Sequence, residues 1–132
     1  MTVPARKPRS TRPKRDHKGE LLEWMQSEPA SLGLDWTVKQ EHVFHSTRKW
    51  RLDYAWISSE GEHTKIAVEF DGIMMRTVGH NGLGGILRDS EKINNAQALG
   101  WQVYRANAKT IENGTFYALM TSVLIERARI SE

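Results

Sequence analysis

Two acids, Glu69 and Asp71, sit near the end of the stretch KIAVEFDG at 65–72. Ile66, Val68 and Phe70 alternate there with Ala67, Glu69 and Asp71. That period of two predicts a strand with its large apolar side chains on one face and both acids on the other. Carboxylates two residues apart on an interior strand repel each other, and desolvation raises the cost, so a cation must balance them. A second alternating run, Trp50 to Trp56, puts Trp50, Leu52, Tyr54 and Trp56 on one face and Arg51, Asp53 and Ala55 on the other. If the two strands pair as a hairpin around the polar turn containing Gly61, Asp53 approaches Glu69. Three carboxylates in one cleft suit a hard divalent cation such as Mg²⁺, which prefers oxygen ligands and keeps several waters. Such an ion polarises phosphoryl groups and steadies a leaving oxygen. Lys92, in the sequence RDSEK, could face the same cleft from a following helix.

The elements that must hold these residues follow from periodicity and punctuation. GELLEWMQSEP, from Gly19, reads as a short helix ended by Pro29. Trp36 to Phe44 has partial strand alternation. A Gly-rich loop from Gly72 to Gly85 contains His80, Ile86 to Leu99 reads as a helix stopped by Gly100, Trp101 to Arg105 as a strand, and Lys109 to Arg129 as mostly helix. This order predicts an α/β fold with a mixed central sheet of about four strands flanked by helices. The strand at 65–71, its helix and the strand at 101–105 form an expected right-handed βαβ unit. GHNGLGG is not a phosphate loop of the Walker type, because it lacks the GK[ST] ending.

Charge divides the chain into a disordered basic arm, 1–18, and a folded domain, 19–132. The arm holds seven Lys or Arg against one acid, a net +6 where the whole chain is +3, so the remainder sums to −3. It also holds three of the four Pro, the composition of an unfolded segment. A basic arm suits nucleic-acid phosphates; its bland alternatives are a solubilising terminus or a localisation address. With no Cys, disulfides and thiolate metal sites are excluded, and a reducing cytoplasm is a compatible location. No apolar run approaches the roughly 20 residues that span a bilayer, so no membrane association is expected.

Taken singly, each chemical residue has an ordinary reading: Asp53 as a solvated edge acid, Lys92 as part of a wet helix face, and Trp50, Trp56 and Trp101 as core. The combination is more specific. RKWRLDYAW, KIAVEFDG and RDSEKINNAQALGWQVYR, with the loop between, resemble the PD-(D/E)xK nuclease superfamily over about Arg48 to Arg105. The likeness is closest to its small phage and bacterial members, Holliday-junction-resolvase-like and very-short-patch-repair-like endonucleases. The resemblance implies a restriction-endonuclease-like core and a Mg²⁺ site, with Mn²⁺ substituting, held by Asp53, Glu69 and the backbone carbonyl of Phe70. The usual motif Lys is replaced by Asp71, and Lys92 on the adjacent helix is its implied substitute. A Glu on the first helix is also implied near the metal, Glu20 in preference to Glu23. Arg48, Lys49, Arg51, His80 and Arg88 are expected to hold nucleic-acid phosphates.

The function so implied is a metal-dependent DNA endonuclease, structure-selective in the manner of a junction resolvase. Its partners would be branched DNA and a second copy of the chain in a homodimer. The alternatives are a mismatch or site-specific nicking enzyme on the same core, and a nucleic-acid-binding module that has lost the chemistry.

Overall fold

The computed structural model describes residues 15–72 and 82–130. Its elements run α1 (His17–Ser31), β1 (Trp36–Val43), β2 (Arg51–Ser58), β3 (His63–Asp71), α2 (Gly82–Ala98), β4 (Gln102–Asn107), α3 (Ala108–Glu112) and α4 (Thr115–Ile130). The four strands form one sheet in the order β1-β2-β3-β4. The first two pairings are antiparallel and the third, between β3 and β4, is parallel, with α2 as the crossover. The expected mixed α/β architecture is therefore present. None of the described helices is long and apolar enough to cross a membrane.

Each face of the sheet has its own apolar cluster. Tyr54, Trp56, Ile66, Val68 and Ala106 meet Leu21 and Met25 of α1 and Phe116, Met120 and Leu124 of α4. On the other face, Leu52, Ala55 and Ala67 meet Ala96 of α2 and Trp101. The small side chains Ala55, Ala67 and Ala96, all fully buried, let α2 lie close to the strands that carry the candidate acids.

Several features differ from the sequence reading, among them the start of α2 at Gly82 rather than Ile86. The first helix begins at His17, with Asp16 as its cap: the Asp16 carboxylate accepts the Gly19 N–H at 2.9 Å. Pro29 does not end that helix but lies within it. A proline ring offers no N–H to the carbonyl four residues earlier, here Met25, and that carbonyl accepts the indole N–H of Trp56 at 2.9 Å. Lys109 to Arg129 is split into two helices at Gly114, whose φ of 78° interrupts the helix. Finally, Trp50, Leu52, Tyr54 and Trp56 do not share a face. Leu52 joins the α2-side cluster and Trp50 belongs to neither. The β1–β2 ladder skips the position between Gln40–Tyr54 and His42–Leu52, where Glu41 has a left-handed φ of 51°.

The Trp56–Met25 hydrogen bond ties the sheet to α1 where a proline would otherwise leave an unmatched carbonyl. Trp56→Phe should destabilise the fold by about 1–3 kcal/mol, since a buried acceptor loses its donor. Urea unfolding of both proteins measures it, and unchanged stability would show the bond to be unimportant.

Candidate active site

The antiparallel pairing of β2 with β3 brings the acids together. Tyr54 pairs with Val68 and Ala55 with Ala67. One further step of the same register sets Asp53 across from Glu69, as the hairpin around Gly61 led us to expect. Both side chains lie on the face that α2 covers. Asp53 is held by the backbone, since its Oδ2 accepts the N–H of Phe70 at 2.8 Å.

Glu69 is only 7% exposed. Lys92 reaches it from α2 and forms an ion pair with its Oε1, an oxygen cut off from solvent that makes no hydrogen bond of regular geometry among the described residues. The Lys92 ammonium also donates to the Arg51 carbonyl at 3.0 Å, so two strands fix its position. Burial, then a hydrogen bond with the Asp53 carboxyl, pushes the Glu69 pKa up from 4.5 to about 7, while Lys92 pulls it down. Near neutral pH Glu69 is therefore protonated for part of the time. Strong perturbation by burial plus specific charge partners is a mark of functional carboxylates.

A cavity of about 210 Å³ opens over this pair, with Asp71, Asp89 and Arg105 also on its wall. Asp71 is exposed and sits at the rim, because β3 ends there. Among the described residues, no three His, Cys, Asp or Glu side chains converge as a metal-holding group, while Asp53, Glu69, Asp71 and Asp89 all line the one cavity. The donor set still fits Mg²⁺. That ion is held by one or two carboxylates, with water and substrate phosphate completing its shell, and Asp53 and Glu69 supply two hard oxygen donors.

Other expected site residues are distributed unevenly. Glu20 pairs with Arg15 at 2.9 Å, both half exposed, and lines a separate hollow with Glu23 and Trp24. It does not line the Asp53–Glu69 cavity. Arg48, Lys49, Arg51 and Arg88 are all exposed. His80 lies outside the described residues.

Asp89 and Arg105 also line the cavity, outside the expected set of site residues. The parallel β3–β4 pairing sets Arg105 directly beside Glu69. The alternation of Val103 and Arg105 carried that information, but only once β4 is known to neighbour β3. No family model, curated protein or solved structure matches this chain.

A pH prediction follows from Glu69. Its folded-state pKa, near 7, lies above the ordinary 4.5, so the unfolded chain sheds this proton first as pH rises. The group's stabilising contribution is full below pH 4.5 and is lost as pH climbs through 7. In chelator-treated protein, Glu69→Gln should remove a decline on the order of 2–3 kcal/mol across that window. Parallel pH–stability profiles for the two proteins would refute the assignment.

Proposed function

We propose that this protein is a metal-dependent DNA endonuclease with Asp53, Glu69 and Lys92 as its catalytic centre. The observation that carries this reading is the buried Glu69 carboxylate held between Asp53 and Lys92 beneath an open polar cavity. A structural ion pair needs no such opening. The resemblance of this segment to PD-(D/E)xK nucleases supports the same conclusion. So does the reach of Lys92 to Glu69, which puts an amine where Asp71 replaces the usual Lys and favours an active enzyme over a module that has lost its chemistry.

In this reading the reaction is hydrolysis of a phosphodiester. Water attacks phosphorus and loses a proton to solvent, the bond to the 3′-oxygen breaks, and that oxygen leaves with a proton from solvent. Mg²⁺ bound at Asp53 and Glu69 would supply Lewis-acid polarisation of the phosphoryl oxygen. The chain's own groups do the rest. The Phe70 N–H fixes the Asp53 carboxylate, and Arg51 O and Glu69 aim the Lys92 Nζ–H at the attacking water. Arg105, beside Glu69, offers positive charge to the phosphate.

The finer reading is a structure-selective, resolvase-like enzyme acting as a homodimer on branched DNA. Two symmetric cuts need two sites related by a twofold axis. Helix α4, with Leu119, Ile125 and Ile130 exposed, is the surface available to bury in such a dimer. The basic arm would add phosphate contacts without base specificity.

The test is Mg²⁺-dependent cleavage of end-labelled four-way junction, nicked, mismatched and linear duplex DNA. Paired symmetric nicks confined to the junction are expected. Asp53→Asn and Glu69→Gln should abolish cutting while leaving DNA binding in place, and full activity in either would sink the metal assignment. Lys92→Ala should slow cutting by roughly 10² or more; a near-normal rate would make Lys92 a structural lysine. Removing residues 1–14, which spares the Asp16 cap, should flatten the salt dependence of DNA binding. An unchanged slope would exclude the arm from the interface.

A further inference from the structure

Trp50 is a large aromatic that neither apolar cluster uses. It is half-buried, and it sits inside a layered stack at the turn between β1 and β2. The Phe44 ring lies nearly parallel to it, at 6.3 Å between centroids and 13° between planes. The Arg48 guanidinium lies over the Trp50 ring at 4.0 Å. Trp50 thus neighbours both Phe44, which packs against the α2-side cluster, and a guanidinium whose side chain is 52% exposed.

This arrangement is preformed. The His45 ring meets the Trp50 edge at 5.3 Å and 81°. Its Nδ1 accepts the backbone N–H groups of Thr47 at 3.2 Å and Arg48 at 3.0 Å, so one imidazole shapes the turn. Arg48 Nη1 is steadied by Glu91 at 3.2 Å. Glu91 is the neighbour of Lys92 on α2, so adjacent residues of one helix hold the stack and the catalytic pair.

Resting on the nuclease reading above, we infer that the Phe44–Trp50–Arg48 stack is a binding site for an unpaired nucleobase, which lies on the outer plane of the Arg48 guanidinium. A planar cation backed by an indole is a surface on which any base can stack, because every base has a π-face. Exposed Lys49 and Arg51 beside it supply charge for the flanking phosphates, which sets nucleic acid apart from an uncharged aromatic ligand. Bases inside a duplex are already stacked, so only an unpaired, bulged or extruded base can use the site. Trp50 precedes Asp53 by three residues, at most about 10 Å of chain. At a spacing of roughly 3.4 Å per nucleotide, the captured base lies about three nucleotides or fewer from the cut. Substrate preference would then come from a disrupted base pair near the scissile phosphate.

The test uses full-length Glu69→Gln protein, so that binding is read without cutting. Affinity is measured by anisotropy for three matched DNAs: fully paired, carrying one bulged adenine, and carrying an abasic residue at the same bulge. Roughly tenfold tighter binding to the bulged base than to the abasic bulge is expected, the scale of one base stacked on a side chain. Adding Arg48→Lys should erase that ratio while keeping the salt slope, because lysine retains the charge and loses the plane. Trp50→Leu should erase it as well. A ratio near one in the starting protein, or a ratio that survives Arg48→Lys, overturns the proposal. Cutting by wild-type protein with a ratio near one sinks this site alone; a tenfold ratio without cutting sinks the nuclease reading alone.

Discussion

Burying a carboxylate is costly unless its charge is answered nearby, and the region around Glu69 is organised by that constraint. Strand β3 carries it into a nearly water-free position, β2 delivers Asp53 opposite it, and α2 delivers Lys92 above it. Each partner comes from a different element. The β2–β3 register, the β3–β4 crossover and the depth at which α2 sits must all be correct together. The alanines between α2 and the sheet serve that purpose, since a larger side chain at Ala55, Ala67 or Ala96 would lift the helix and Lys92 with it.

The same arrangement leaves the site poised between protonation states. Burial makes Glu69 reluctant to ionise, and Lys92 offsets that only in part. A divalent cation at the proposed site would favour the ionised form of Glu69.

Helix α2 serves both proposed sites through consecutive residues. Lys92 points to the acid pair and Glu91 to the guanidinium that caps the aromatic stack. Anything that shifts α2 along the sheet moves both at once. Recognition of a disrupted base and positioning of the cutting centre would thereby be mechanically linked, without a separate recognition domain.

The sequence by itself determined the strand alternation of 65–71, the α/β order of elements and the pairing logic that brings Asp53 to Glu69, because these depend on period-two patterning and a short hairpin. It also nominated Lys92, through its place on the helix after the Gly-rich loop and through the resemblance to PD-(D/E)xK nucleases. Only the tertiary structure decided that Lys92 touches Glu69 and that Arg105 lies beside it, because both depend on a parallel crossover between strands distant in sequence. The retained Pro29 in α1 was likewise invisible locally, since the donor that satisfies Met25 comes from Trp56, 31 residues away. Trp50, grouped with the core by its alternation, lies outside both apolar clusters, and Leu52 and Tyr54 fall in different ones. Such a local irregularity of the backbone leaves no mark in hydrophobic periodicity, so only the tertiary structure shows it.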